Sequence, residues 1–345
     1  MLYRIQHETK LSYSLPVFET VFEVRMAPPS DEDQTSLSYR LRTTPQAPVT
    51  SFRDGFGNRA ELFNLASPYR ELTVAVTSYV RTHRRSAAAR LSQSGAHWHG
   101  PHGGPNGEGR TGAIDALEFL HASPLVPSCP ELDNLASSLD LPPAPMLDTL
   151  QRLMAEINSR LKYEKDVTRA RTPVSESLRL GRGVCQDFAH VFIGTCRALG
   201  VPARYVSGYL AHPGEIATHA WCQVWADDTV GWVDVDPTHN DFANDEYILT
   251  AIGRDYHDVP PNRGLWKGRA EESMSVTVKV DPVDRVPIEW NDWYPPAFRS
   301  GAAPGSARSG MNGARLMGRP RTPYPHQPPA GAGLVNQQSE QQQQE

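Results

Sequence analysis

GVCQDFAHVFIGTCRALG, residues 183–200, reads as a helix with a cysteine at its start. Phe188, Phe192, Cys196 and Leu199 recur at spacings of three and four, the period of a helix with one apolar face. Cys185 stands ahead of that stripe, just after Gly183 and Val184. A single cysteine is ordinarily a small apolar residue in a core. At a helix start it has a second use. The first N–H groups of a helix lack intrahelical partners and the helix dipole is positive there, so an anion is favoured. A thiolate is such an anion, and a neighbouring imidazolium favours it further.

Downstream the period changes from helix to strand. ARYVSGYL (203–210), HAWCQVWA (219–226) and GWVDVDPT (231–238) are rich in β-branched and aromatic residues and separated by Pro, Gly and Asp. His219 opens the second of these strands and Asp236 closes the third, before Pro237. Two adjacent strands beside the start of the 183–199 helix bring thiol, imidazole and carboxylate into one cleft. That set supplies a nucleophile, a base and a group that orients the base. His219 takes and returns the proton. Asp236 bonds the other ring nitrogen and fixes the tautomer. The N–H groups at the helix start can hold an oxyanion. Each residue also has a bland reading: a core cysteine, a structural histidine beside Trp221, an Asp that forms a turn. The ordered combination is what points to chemistry.

Other polar residues nearby read as supporting structure. Asp234 lies two residues before Asp236, so on a strand both face the same way. Asp187 and His190 are placed to cap the helix or bond a neighbouring loop. Cys196 lies on the apolar stripe and Cys222 alternates away from His219, so both read as structural. Trp221, Trp225 and Trp232 could line a groove, with core packing expected for at least two of them. Four cysteines without a CxxC pair imply reduced thiols and argue against a structural zinc site.

Residues 1–80 read as short strands with turns between them: 3–9, 18–26, 37–41, a turn-and-strand unit in FRDGFGNRAELFNL (52–65), and LTVAVTSYV (72–80). That spacing predicts a β-sandwich-like unit. Residues 81–113 hold Gly, Ser, His and Arg with little apolar periodicity and read as a flexible insertion. His97, His99 and His102 within it read as solvated. From 114 to 200 the pattern is helical, with AIDALEFLHAS, PELDNLASSLD, and Leu147, Leu150, Leu153, Ile157 and Leu161 preceding the cysteine helix. SMSVTVKV (273–280) predicts one more strand. The tail from 295, rich in Gly, Pro and Gln, lacks the apolar content to fold alone.

Thirty of the 345 residues are Pro, above the usual ~5%. The net charge of −5 argues against nucleic acid as a partner. The polar–apolar alternation of the first residues is unlike a secretory leader, and no run approaches the ~20 apolar residues of a membrane span. A cytoplasmic protein without a membrane partner is the expectation.

GRGVCQDFAHVFIGTCRALGVPARYVSGYL, THAWCQVW and GWVDVDPTH together resemble the core of the bacterial transglutaminase-like superfamily. HETKLSYSLPV and FRDGFGNRAELF resemble the β-rich N-terminal region that accompanies this core in bacteria. AIGRDYHDVPPNRGLWKG resembles the segment that follows it. The likeness covers roughly residues 1–80 and 115–282.

The resemblance implies an α+β, papain-like fold in which a Cys-bearing helix packs on an antiparallel sheet, preceded by the β-sandwich-like unit. It places the nucleophile on Cys185, the base on His219 and the orienting carboxylate on Asp236 rather than Asp234. It implies no cofactor and no metal. It implies a thioester formed from an amide of a peptide or protein substrate, then passed to water or to an amine. Hydrolysis is the leading expectation, because water needs no acceptor groove. Cross-linking, a non-catalytic binding module and a zinc hydrolase are the alternatives. Animal members hold the oxyanion with a tryptophan upstream of the cysteine. This chain has no Trp between Trp98 and Trp221, which leaves Tyr163 and Gln186 as candidate second donors. The expected organisation is 1–80 N-terminal β domain, 81–113 insertion, 114–294 catalytic domain and 295–345 disordered tail.

Overall fold

The computed structural model describes residues 1–100, 114–211, 218–290 and a strand at 332–334. His102 and the rest of the 101–113 stretch lie outside the described residues, as does the tail apart from that strand. The chain opens with β1 (Leu2–Val24), β2 (Gln34–Thr44), β3 (Val49–Arg53), β4 (Arg59–Leu65) and β5 (Tyr69–Thr82). Next come α1 (Ala87–Ser94), β6 (His97–Trp98), α2 (Ile114–Leu117), α3 (Pro130–Ser138), β7 (Ala144–Pro145) and α4 (Met146–Arg160). They are followed by β8 (Lys162–Tyr163), α5 (Val174–Leu180), β9 (Arg182–Gly183) and α6 (Cys185–Ala198). The remaining strands are β10 (Ala203–Leu210), β11 (Thr218–Trp225), β12 (Trp232–Asp236), β13 (Asp241–Phe242) and β14 (Tyr247–Gly253), then β15 (Asn262–Lys267), β16 (Glu272–Pro282) and β17 (Ala332–Leu334).

The N-terminal region is one curled sheet of eight strands rather than two separate ones. The two runs expected at 3–9 and 18–26 are a single strand, β1, whose pairing slips between Ser12 and Val17 and again between Phe18 and Val21. Pro16 lacks the N–H a ladder needs, and Glu19 has φ 49°, so the strand bends there and serves both halves of the sheet. Its first half alternates strictly, burying Tyr3, Ile5, His7, Thr9, Leu11 and Tyr13. The halves close on a core that includes Leu11, Val17, Phe22, Phe63, Leu72, Val74 and Trp266.

β15 and β16 return to this sheet and pair with β1, so residues 262–282 complete the N-terminal sheet. That pairing joins positions more than 200 residues apart, for example Ile5 with Val280. The insertion read as structureless also carries regular elements. Ser86 caps α1, which buries Ala87 and Leu91, and Trp98 pairs with Ala144 and is buried.

A second, antiparallel sheet has the order β13-β12-β11-β10-β14. α6 packs on its β10 and β11 strands, and α3, α4 and α5 pack around α6. Every residue from Cys185 to Cys196 is buried, so α6 is enclosed on all sides as a central helix. β14 is an edge strand with unpaired backbone groups. Two carboxamides from the N-terminal region cover it. Gln34 donates to Leu249 O and accepts from Leu249 N, both at 2.9 Å. Asn58 does the same with Ile252, both at 2.8 Å. Tyr3, Ile5, Val80, Tyr209 and Ile248 form the apolar part of the same seam. No helix among the described residues is long and apolar enough to cross a membrane.

Candidate active site

α6 starts at Cys185 because Asp187 reaches back. Its Oδ2 accepts from Val184 N at 2.8 Å and from Thr168 Oγ1 at 2.6 Å, and its Oδ1 accepts from Ser177 Oγ at 2.5 Å. This is the carboxylate half of a capping box. Gly183 is required for it, since a Cβ there would lie 2.4 Å from Asp187 Oδ2. The cap also ties the helix start to the 164–173 loop, as does Gln186, whose Nε2 donates to Ala170 O at 3.1 Å. One N–H of the Gln186 side-chain amide is therefore engaged by the loop. Tyr163 is half-exposed, with its ring 6.4 Å from that of Phe188.

The structure brings Cys185, His219 and Asp236 together. His219 hydrogen-bonds Asp236 Oδ2 through Nε2 at 2.7 Å and lies near enough to Cys185 for the thiol to raise its proton affinity. With Nε2 taken, the nitrogen left for the thiol is Nδ1. The three residues are 6%, 9% and 0% exposed, so the cluster is almost wholly buried. Burial opposes a charge on His219. The Asp236 charge and hydrogen bond, with the Cys185 contact, outweigh it and raise the histidine to about 10. Burial likewise opposes the Asp236 anion, but His219 and His239 hold it well below the usual carboxylate range. Opposite His219 on β10 stands Gly208. A Cβ there would lie 2.2 Å from Ile248 O and 2.5 Å from the Trp221 ring, so only glycine lets β14 and Trp221 close behind the histidine.

Asp236 carries more partners than its sequence neighbours suggest. Oδ2 also accepts from Tyr247 OH at 2.8 Å and lies 2.6 Å from His239 Nδ1. Oδ1 accepts from Thr238 N at 2.8 Å. Asn158 on α4 donates to Pro237 O and Thr238 O, which fixes the turn after the strand. The Tyr247 ring packs edge-on against His219 and Trp221. Neither Tyr247 nor His239 was assigned a role from sequence. His239 is visible in DVDPTH as a titratable residue three places from the carboxylate. Tyr247 carries no local signal, because β14 and β12 are not adjacent in the sheet.

The atoms of His219, Asp236 and His239 lie close enough together to suggest a metal centre. Their spacing is that of hydrogen bonds. Two ligands on one tetrahedral zinc would sit roughly 3.3 Å apart, against 2.7 and 2.6 Å here. Protons, rather than a cation, fit between them.

Asp234 does face the same side as Asp236, but it serves a different network. It accepts from Arg84 at 2.6 Å, Trp221 Nε1 at 2.7 Å and Gln223 Nε2 at 3.0 Å. Arg84 also pairs with Asp33, so this cluster bolts β12 to the N-terminal region. His190 is fully buried, and its Nε2 accepts from Tyr256 N at 3.2 Å; burial lowers its proton affinity. Burial pushes the thiols of Cys196 and Cys222 up, and Cys222 Sγ donates to Ala189 O. Trp221 is fully buried, whereas Trp225 and Trp232 are partly exposed and pack on each other edge to face.

Two family models match the chain: the bacterial transglutaminase-like N-terminal region over residues 3–81 and the transglutaminase-like superfamily core over 133–237. An uncharacterized protein of Mycobacterium tuberculosis is 33% identical over 299 residues, which is 81% of this chain and 92% of its own. The chain belongs to the transglutaminase-like superfamily. An uncharacterized protein of Mycobacterium leprae is 30% identical over 291 residues, 80% of this chain and 97% of its own. A candidate cysteine protease from Cytophaga hutchinsonii superimposes with a TM-score of 0.64, over 83% of this chain and 93% of that one. At 22% identity this likeness shows a shared fold. The stretch matched to the transglutaminase-like core contains Cys185, His219 and Asp236, while His239 and Tyr247 lie beyond its end.

Proposed function

We propose that this transglutaminase-like protein is a thiol enzyme that hydrolyses an amide bond of a peptide or protein. The observation that carries the reading is a thiol at the first position of α6 beside an imidazole held by a buried carboxylate. Asp236 keeps the proton on His219, and an imidazolium favours a thiolate beside it. Cys185 Sγ adds to the amide carbonyl carbon. Charge on the oxygen is met by the backbone N–H of Cys185 at the helix start. The C–N bond then breaks, His219 passes its proton to the departing amine, and a thioester remains. Water adds to that thioester with His219 as base. The C–S bond breaks, the acid leaves and the thiolate returns.

Acylation is common to hydrolysis and acyl transfer. What distinguishes them is whether an amine can displace water at the thioester. The test is mass spectrometry of Gln-containing and isopeptide-linked peptides incubated with the protein, with and without a primary amine. Chain cleavage or deamidation that persists in the presence of amine supports hydrolysis. Incorporation of the amine into the peptide makes the protein an acyltransferase. No product with the native chain, combined with Cys185 labelling no faster than Cys196 or Cys222, refutes the enzyme reading and leaves a binding module.

A further inference from the structure

The loop that runs into the cysteine helix carries a charge bias opposite to that of the whole chain. The chain has 34 Lys and Arg against 39 Asp and Glu. Residues 162–182 have six basic residues and three acidic ones. Some of these are compensated: Lys162 and Arg182 share Glu164, at 3.3 and 3.2 Å, and Arg179 faces Glu131 at 3.9 Å. Arg169 and Arg171 are exposed, and Lys165 is partly so. Among the described residues none of these three has a carboxylate within ion-pair distance, and Asp166 is the single acid between them.

The position of this segment is set by the site itself. Thr168 Oγ1 donates to Asp187 Oδ2, and Ala170 O accepts from Gln186, the residue after Cys185. Arg169 and Thr172 bond each other twice, N to Oγ1 and N to O, both at 2.8 Å. A loop pinned at Thr168 and Ala170 has little freedom to carry Arg169 and Arg171 away from the helix start. The loop thus carries two exposed guanidiniums beside the start of α6, while the buried carboxylate of the site, Asp236, is already paired. An anion that approaches Cys185 meets positive charge from the loop, from the helix start and from His219.

We propose that residues 165–171 form the recognition edge of the Cys185 cleft and select an acidic peptide, one with Asp or Glu side chains beside the reacting amide. This rests on the thiol-enzyme reading above and names its substrate class. Arg169 and Arg171 are the specificity-determining residues. They hold the substrate carboxylates by charge-assisted, bidentate hydrogen bonds.

The test compares two alkylating agents of similar size, anionic iodoacetate and neutral iodoacetamide, on the full chain. Labelling of Cys185 is read by peptide mass spectrometry. The expected result is a rate ratio, iodoacetate over iodoacetamide, that falls on the order of fivefold in Arg169→Gln/Arg171→Gln at low salt, with the iodoacetamide rate unchanged. Salt should erode the ratio in the native chain more than in the variant. A ratio that is equal in the two proteins, or indifferent to salt, overturns the proposal while leaving Cys185 an activated thiol. Iodoacetamide labelling of Cys185 no faster than that of Cys196 or Cys222 overturns the thiol-enzyme reading, and this proposal with it. Peptide pairs that differ only by Glu for Gln beside the reacting amide give the second readout. The acidic member should have the lower KM, and the double variant should remove that difference.

Discussion

Replacing Asp236 by Asn isolates the charge that holds the proton on His219. Asn matches Asp in shape, and with its carbonyl oxygen in the place of Oδ2 it can still accept from Nε2 and Tyr247 while losing the bond from Thr238 N, so the site keeps most of its packing. It also loses the negative charge. His219 lies at about 10 against an ordinary 6.5. At ~1.4 kcal/mol per pH unit, this favours the imidazolium by roughly 5 kcal/mol. Burial, the largest influence on His219, acts in the other direction. Without the carboxylate only the Cys185 contact opposes it, and the proton affinity of the histidine falls far below its native level. At pH 7 the ring is then neutral and no longer supports an anionic thiol. The assay is the iodoacetamide labelling rate of Cys185 between pH 5 and pH 9. Retaining only a fraction of the 5 kcal/mol as rate, the variant should label at least about tenfold more slowly at neutral pH. Its rate should recover as the pH is raised. A pH–rate profile that superimposes on that of the native chain refutes the claim that Asp236 controls the charge of His219.

Three further outcomes follow from the same contacts. Burial holds His7 neutral down to about 3, so between 6.5 and 3 the unfolded chain binds a proton the folded chain refuses. Stability then falls with acidification by up to ~1.4 kcal/mol per pH unit; His219, raised to about 10, gives the opposite slope, with its contribution complete below 6.5 and lost as the pH rises through 10. Urea titrations across pH, with His7→Gln flattening the acidic limb, check both signs, and an unchanged acidic limb would count against a neutral His7. Gln34→Leu strips both hydrogen bonds from Leu249 on the β14 edge and should cost about 2–4 kcal/mol in urea unfolding; a loss under about 0.5 kcal/mol means water replaces the carboxamide. Gly183→Ala drives a methyl into Asp187 and should cost about 1–3 kcal/mol and slow Cys185 labelling, whereas native stability and labelling would show that the cap tolerates a shift.

Much of the candidate site was legible because its signals are local. The 3.6-residue stripe through Phe188, Phe192 and Cys196 predicts α6, and the alternation in 203–210, 219–226 and 231–238 predicts β10, β11 and β12. α1 and α5 were not read. α1 is short and interrupts a stretch rich in polar residues, and its stability comes from contacts made by Leu91 rather than from its own pattern. The long β1 strand looked like two strands because Pro16 breaks the pattern. The break is real in hydrogen bonding but does not end the strand.

By itself the sequence determined the order Cys185, His219, Asp236, the helix start that receives the thiol and the strands that carry its partners. These follow from side-chain period and from residue types within short windows, where backbone geometry leaves few choices. The tertiary structure supplied the reason that Asp236, which the resemblance favours over Asp234, is the carboxylate that meets His219. Asp234 and Asp236 share a strand face, yet Arg84, 150 residues away, draws Asp234 into the domain seam and leaves Asp236 to the histidine. It also decided that Tyr247 and His239 crowd the same oxygen, that Gln34 and Asn58 finish the β14 edge, and that residues 262–282 complete the N-terminal sheet. Each of these joins groups brought together by packing from different elements, and no local period encodes that meeting.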